Sequence, residues 1–383
     1  MFRGLHHIGL TCVVHAGVMD SGCAPLLSLP EDLLALVVSE VRGKNALRAS
    51  CRSLRLAVNA CTSALTWSPS APLAGGTKLT TTHLPASLTS ACPGIRLLDC
   101  RGQSGDNPQL QFSLSSCPPS LHTLLCSYTP VQHLDLLAEV CTMLRTLDCS
   151  YTEVAGLGPL SACTMLQSLN CSGCDLVADL GPLSACTMLQ SLNSSGCRQV
   201  ADLGALSTCV MLQSASCSGC MQVADLGPLS ACTMLQYLDC SHTKVSELGP
   251  LSACMMLRSL FCSHCFALAD LGPLSSCKIL QTLNCSDTMV AELDPLSACT
   301  MLREVTCHQA PIRVLSPLAA CTALASLKCD PMSVPLEQIR LLQVACRSLE
   351  VEKVWGDFEE VVGGLPSPEP FDGLGAWVQG QWL

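Results

Sequence analysis

Thirty cysteines and nine histidines are the residues of this 383-residue sequence with the most chemistry to offer. Three C-x-x-C pairs, Cys171/Cys174, Cys217/Cys220 and Cys262/Cys265, have the spacing of zinc ligands. So many cysteines also fit a disulfide framework in an oxidising compartment. A thiol beside a partnered histidine would be a nucleophile. His242 and His264, with Asp239 near them, could be drawn as a metal or acid–base site. Position in the chain argues against each of these. One column of cysteines runs Cys100, Cys126, Cys149, Cys171, Cys217, Cys240, Cys262, Cys285, Cys307, Cys329. A second runs Cys92, Cys141, Cys163, Cys186, Cys209, Cys232, Cys254, Cys277, Cys299, Cys321, Cys346, and a third is Cys174, Cys197, Cys220, Cys265. The copy beside Cys171/Cys174 has Ser194 in place of its first cysteine, which breaks any zinc set. A ladder of in-register disulfides would need strained geometry. No cysteine is singled out beside a partnered histidine. The thiols therefore read as small apolar core residues, which implies a reducing compartment. The two histidines read as solvated loop residues on a binding face. No phosphate-binding, nucleophile-elbow or dinucleotide motif is present. We expect no catalytic residue, metal or cofactor.

The element that positions these residues is a repeat. Leu121, Leu144, Leu166, Leu189, Leu212, Leu235, Leu257, Leu280, Leu302 and Leu324 each open a copy of L-x-x-L-x-C-S, or a close variant, with an earlier copy at Ile95. The steps are 22 or 23 residues, because C-S-x-T-x-V alternates with C-S-G-C-x-x-V. Gly-Pro at Pro159, Pro182, Pro228, Pro250 and Pro273 leaves too little chain for a long return helix. The pattern resembles short, internalin-like leucine-rich repeats over about Ile95 to Trp355. The fold class expected is an α/β solenoid, a horseshoe with a parallel concave sheet and a convex side of turns and 3-10 segments. Each copy is too small to bury a face alone, so stacking makes the core. Strand alternation sends Leu147 and Cys149 inward and Thr146, Asp148 and Ser150 out to the concave face.

Composition agrees. Apolar residues make up 49 % of the chain, aromatics 3 % and charged residues 13 %. That excludes a disordered chain, and a net charge of −10 argues against a broad nucleic-acid surface. Leu203 to Ala224 is uncharged over a membrane-spanning length, but it is rich in Ser and Gln and recurs in near-copy, so no membrane span is expected. Residues 1–24 read as a mobile leader, 71–94 as a linker or N-terminal cap, and 356–383, with P-S-P-E-P and paired glycines, as a disordered tail. Leu336 to Leu349 has helical spacing and closes the array, with a last strand near Val351.

Residues 25–70 carry two amphipathic stretches, one with Leu33, Leu34, Val37, Val38 and Val41 on a face. Such a segment suits a cap over the open end of the solenoid. It also resembles an F-box. Leu29 and Pro30 match the opening Leu-Pro, Cys51 to Arg55 the Cys-x-x-Trp-Arg core with Leu54 in place of Trp, and Trp67 the closing Trp. The resemblance implies contact with a Skp-type adaptor and cullin through Pro30, Leu33, Leu34, Val37 and Leu47. It would make the protein a substrate adaptor of a cullin-type ubiquitin ligase in the cytoplasm, possible sites also including the nucleus, cytoskeleton or cilium. A non-ligase scaffold and an extracellular recognition protein are the alternatives.

The outward positions suggest where a protein target would dock. The copies at Leu166, Leu189 and Leu212 offer Gln, Ser, Asn and Gly. Those at Leu235 and Leu257 offer Tyr237, Asp239, His242, Arg258, Phe261 and His264. Aromatic residues and Arg are the usual anchors of an interface. Tyr128 and Tyr151 form a smaller second group.

Overall fold

The computed structural model describes residues 64–66, 96–99, 101, 119–135, 137, 142–330 and 334–353. The leader, the tail, and Pro30, Leu33, Leu34, Val37 and Leu47 lie outside the described residues.

The repeat folds as one parallel sheet of thirteen strands in chain order. They are β1 (Ala64–Thr66), β2 (Leu97–Asp99), β3 (Thr123–Leu125), β4 (Thr146–Asp148), β5 (Ser168–Asn170), β6 (Ser191–Asn193) and β7 (Ser214–Ser216). Then come β8 (Tyr237–Asp239), β9 (Ser259–Phe261), β10 (Thr282–Asn284), β11 (Glu304–Cys307), β12 (Ser326–Cys329) and β13 (Glu350–Lys353). The sheet begins one strand earlier than the periodicity places it. β1 pairs with β2 from within the segment whose residues resemble an F-box. Its S-A-L-T-W lacks the L-x-x-L-x-C frame, so no period marks it.

From β2 to β10 the strand's middle residue points inward and is buried, as Leu147, Leu169, Leu238 and Leu260 are. From β4 to β11 each copy then returns through a five-residue 3-10 turn such as Gly158–Ala162 or Gly227–Ala231. Proline at the start presets the backbone angle and needs no donor there. The turn's Leu160 or Leu229 is buried from the convex side. The α-helix Leu336–Ala345 replaces the last 3-10 turn and packs against Ser316–Ala320 through Ile339 and Leu342. Among the described residues no helix is long and apolar enough to cross a membrane.

The cysteines fill the core and also stitch it. All 22 described cysteines are buried. In the second column the sulfurs from Cys186 to Cys346 donate to carbonyls of the copy before, as Cys232 does to Leu206 and Cys209 at 3.3 and 3.6 Å. Cys321 does the same to Leu296 and Cys299, both at 3.4 Å. These carbonyls already accept a backbone N–H, as Leu206 does from Cys209 and Cys209 from Leu212, and the thiol fills their second acceptor site. In the third column Cys174, Cys197 and Cys220 donate to the carbonyls of Cys149, Cys171 and Ser194 at 3.1–3.2 Å. Where a short copy has Thr instead, its hydroxyl serves the carbonyl three residues back, as Thr152 serves Cys149. Reading cysteine as an apolar filler therefore misses its second role: a Leu or Ala there would keep the packing and remove the carbonyl's second donor.

Candidate binding face

Past each strand the ladder runs on for two more residues and then turns. The turning residue has a left-handed backbone in nine successive copies: Tyr128, Tyr151, Gly173, Gly196, Gly219, His242, His264, Asp287 and Gln309. Its N–H still reaches the next copy, as Tyr151 does to Ser172 at 2.7 Å and His242 to Ser263 at 2.8 Å. The turn is pinned by the last outward strand residue. Asp148, Asn170, Asn193, Asp239 and Asn284 each accept the N–H of the serine two residues on, at 3.0–3.1 Å. This folds Ser150, Ser172, Ser241 and Ser286 under the turn, where they are buried. Ser150 is therefore not on the concave face, which starts at Thr146 and Asp148. The turn, rather than the strand's alternation, sets its direction.

The side chains of that ladder form two stacks with a gap between. Tyr128 and Tyr151 lie parallel, 4.7 Å between centroids and 6° apart. His242 and His264 lie 4.1 Å and 17° apart. Gly173, Gly196 and Gly219 separate them. A Cβ on Gly173 would sit 2.7 Å from the Tyr151 ring, which lies over that glycine.

Five of the six residues expected to bind a partner come together around the second stack. Tyr237 and Phe261 sit on outward positions of β8 and β9, diagonal in the register, with centroids 5.5 Å apart. Both are half-buried. Asp239, opposite Phe261 in the register, turns its carboxylate to Ser241. Burial raises its pKa above the ordinary carboxylate value. His242 and His264 follow at the strand exits. Burial, then the neighbouring His264, lowers the pKa of His242. Arg258 stands apart at the entrance of β9, where its backbone bridges Gln236 and Gln281. Two further residues belong to the cluster. Phe266 meets His264 edge-on at 5.8 Å, and Asp287 lies 3.6 Å from the His264 Nε2. Phe266 is inside the same long loop, and Asp287 holds the same rung one copy later. Aligning the turning rung would have found Asp287. Nothing in the spacing announces Phe266.

Among the described residues no three histidine, cysteine or acidic side chains are placed to hold a metal ion. Burial pushes the thiols of Cys285 and Cys299 up to about 12. Cys174 and Cys265 donate to the carbonyls of Cys149 and Cys240 at 3.1 and 3.2 Å. Both remain fully enclosed.

No family model matches the sequence, and no curated protein is similar to it by sequence. Solved structures are similar in fold. An internalin of Listeria monocytogenes (inlF) superposes with a TM-score of 0.65 at 19 % identity, over 87 % of this chain and 92 % of its own. A leucine-rich-repeat protein of Leptospira interrogans gives 0.50 at 12 % identity, over 70 % and 80 %. The plant peptide hormone receptor RGFR1, solved in complex with RGF2, gives 0.52 at 16 % identity, over 76 % of this chain and 47 % of the receptor. This chain thus spans about half of that receptor. The fold is a leucine-rich-repeat solenoid.

Proposed function

We propose that the protein is a binding scaffold that holds a protein target on the concave side of β8 and β9. The observation that carries this is the cluster of Tyr237, Phe261, His242, His264 and Phe266. It is the largest aromatic grouping among the described residues, next to three copies that offer Ser, Asn and Gly. Half-buried aromatics are partly held before binding, so they lose little freedom on contact. A target with apolar residues set among hydrogen-bond donors would match them, with Asp239 and Asp287 as acceptors. The solved hormone receptor complex is in line with peptide binding on this fold.

We assign the ligase-adaptor role to residues 25–70 on their resemblance alone. Pro30, Leu33, Leu34, Val37 and Leu47 are the contact with a Skp-type adaptor in this reading. We place the protein in a reducing compartment, the cytoplasm, because its thiols serve as hydrogen-bond donors that a disulfide would abolish.

One experiment separates the two halves. Full-length protein, its Tyr237→Ser/Phe261→Ser variant and its Leu33→Asp/Leu34→Asp variant are used to capture proteins from a reducing cell extract, identified by mass spectrometry. The concave variant should lose the target, at least tenfold in yield, and keep the Skp-type adaptor. The N-terminal variant should do the reverse. A target retained by the concave variant sinks the binding face. Wild-type protein that captures no Skp-type adaptor leaves residues 25–70 as a cap.

A further inference from the structure

A second ring stack lies outside the β8–β9 cluster. Tyr128 and Tyr151, parallel at 4.7 Å, are 43 and 46 % exposed and hold left-handed turning positions. The next three turning residues are glycines, so no side chain carries the stack onward. Asp148 ends β4 three residues before Tyr151. It lies opposite Leu125, which is three residues before Tyr128. Its charge reaches the rings: burial, then Tyr151, then Asp148 raises the pKa of the Tyr128 phenol.

The turn does not need that charge. Oδ1 of Asp148 accepts the N–H and the hydroxyl of Ser150, at 3.1 and 2.7 Å. In the copies of Asn170, Asn193 and Asn284 a neutral amide oxygen pins the same N–H. The carboxylate of Asp148 is therefore surplus to the fold, and its Oδ2 has no partner among the described residues. The array shows what a carboxylate takes at this position. Asp99 holds it two copies earlier, and Nε and Nη2 of Arg101 meet its two oxygens at 2.9 and 2.8 Å. Asp148 has Ser150 where Asp99 has Arg101, so its fork must come from another chain. The nearby acceptors and cations are otherwise engaged or distant. Gln132 donates to Glu153 at 2.8 Å, and Arg198 lies 3.8 Å from Asp175. Arg96 and Arg145 stand at the strand entrances, about 10 Å from the strand ends. At that separation salt screens their repulsion of an incoming cation.

We propose that Asp148, Tyr128 and Tyr151 form a docking site for an arginine side chain of a protein partner. A guanidinium is planar, so it stacks on a tyrosine ring while its N–H fork pairs with a carboxylate. Lysine brings a point charge without the flat face or the fork. A net charge of −10 favours the approach of a basic partner. The site lies four strands before β8, about 19 Å along the array at ~4.8 Å per rung. It does not rest on the β8–β9 reading.

The probe is a fluorescein-labelled twelve-residue peptide of Gly and Ser with arginine at every third position, beside lysine and citrulline versions. Fluorescence anisotropy is read against the full chain, up to about 500 µM, under reducing conditions in low salt, where surface charge acts most strongly. The arginine peptide should bind, the lysine peptide at least threefold more weakly, and the citrulline peptide not at all. Asp148→Asn keeps the turn, as the asparagine copies do, and should weaken the arginine peptide at least threefold. Tyr128→Asn/Tyr151→Asn keeps residues that tolerate the left-handed backbone. It should weaken binding at least fivefold and erase the preference for arginine over lysine; if it unfolds, Asp148→Asn decides alone. Asp225→Asn removes the same charge at a distance, from a carboxylate that likewise accepts a backbone N–H, and should stay within twofold of wild type. The Asp148→Asn loss should persist in the Tyr237→Ser/Phe261→Ser background, so this site and the β8–β9 face fail separately. Four results overturn the proposal: no binding of the arginine peptide, equal binding of the lysine peptide, an Asp148→Asn variant that binds like wild type, or an equal loss in Asp225→Asn.

Discussion

The copies of β5 to β7 and those of β8 and β9 share one backbone and differ in what they place on it. In both, the turning residue keeps a left-handed φ, 69–75° at the three glycines and 55–57° at the two histidines. In both, its N–H bonds the next copy at 2.7–2.9 Å. For glycine this conformation is free. A residue with a Cβ loses of order 1 kcal/mol there. The histidines persist because each finds a partner: the stacked ring of the next rung for His242, and for His264 that ring, Asp287 one rung on and Phe266 in its own loop. The same turn is thus a relaxed spacer in one region and a strained display in the other. Strain held in place by side-chain contacts is a sign of use.

Making the first region resemble the second without its contacts should be the most damaging change. Gly196→Val puts a β-branched side chain at φ 75°, where the only atoms within 4 Å are backbone of Gly173, in ordinary contact. Space is available, so the cost is conformational, about 2–3 kcal/mol. Urea unfolding should show it, with Gly196→Asn, which tolerates this region, costing under about 1 kcal/mol. Equal losses for Val and Asn would mean that the glycine is needed for packing rather than for its backbone.

The boundary between the two regions holds a visible defect. β7 has Ala215 where β5, β6, β8 and β9 have Leu169, Leu192, Leu238 and Leu260. Ala215 and Cys217 are each 4 % exposed, in a core where most residues are wholly enclosed. The column accepts Leu on both sides, so Ala215→Leu restores its usual side chain. It should add about 1 kcal/mol and raise the midpoint of thermal unfolding. A lowered midpoint would show that the neighbours have closed over the space.

The lattice of Leu147, Cys149, Leu160 and Cys163 was legible because inward positions recur at one period. The 3-10 turns were legible because Gly-Pro forbids a long helix. The burial of Ser150, the donor role of the second cysteine column and the pairing of His264 with Asp287 were not. Each depends on what one rung meets on the next, which a period does not report.

The smallest effect expected is in the response to pH, and it bears on the histidine stack alone. Burial, then His264, lowers the folded pKa of His242 below its ordinary 6.5. Asp239 and Asp287 face the pair and pull the other way. With the folded value depressed, the unfolded chain binds the proton more readily than the folded one. Stability then rises with pH across this window. It is complete above about pH 6.5 and is lost as pH falls toward and through the lowered folded value. Asp239 has the opposite sign, its raised folded pKa favouring the folded state as pH falls. That gain begins only as the folded carboxyl takes up its proton, on approach to the ordinary carboxylate range from above. Thermal unfolding from pH 7.5 to 5.5 should therefore show a small decline in midpoint, on the order of one degree. His242→Asn keeps a side chain suited to the left-handed turn and should remove this group's share of the decline. The same substitution in the glycine region, Gly196→Asn, should leave the pH dependence unchanged. If His242→Asn declines as steeply as wild type, the stack is not strained by its own protonation, and the two regions differ in shape but not in electrostatics.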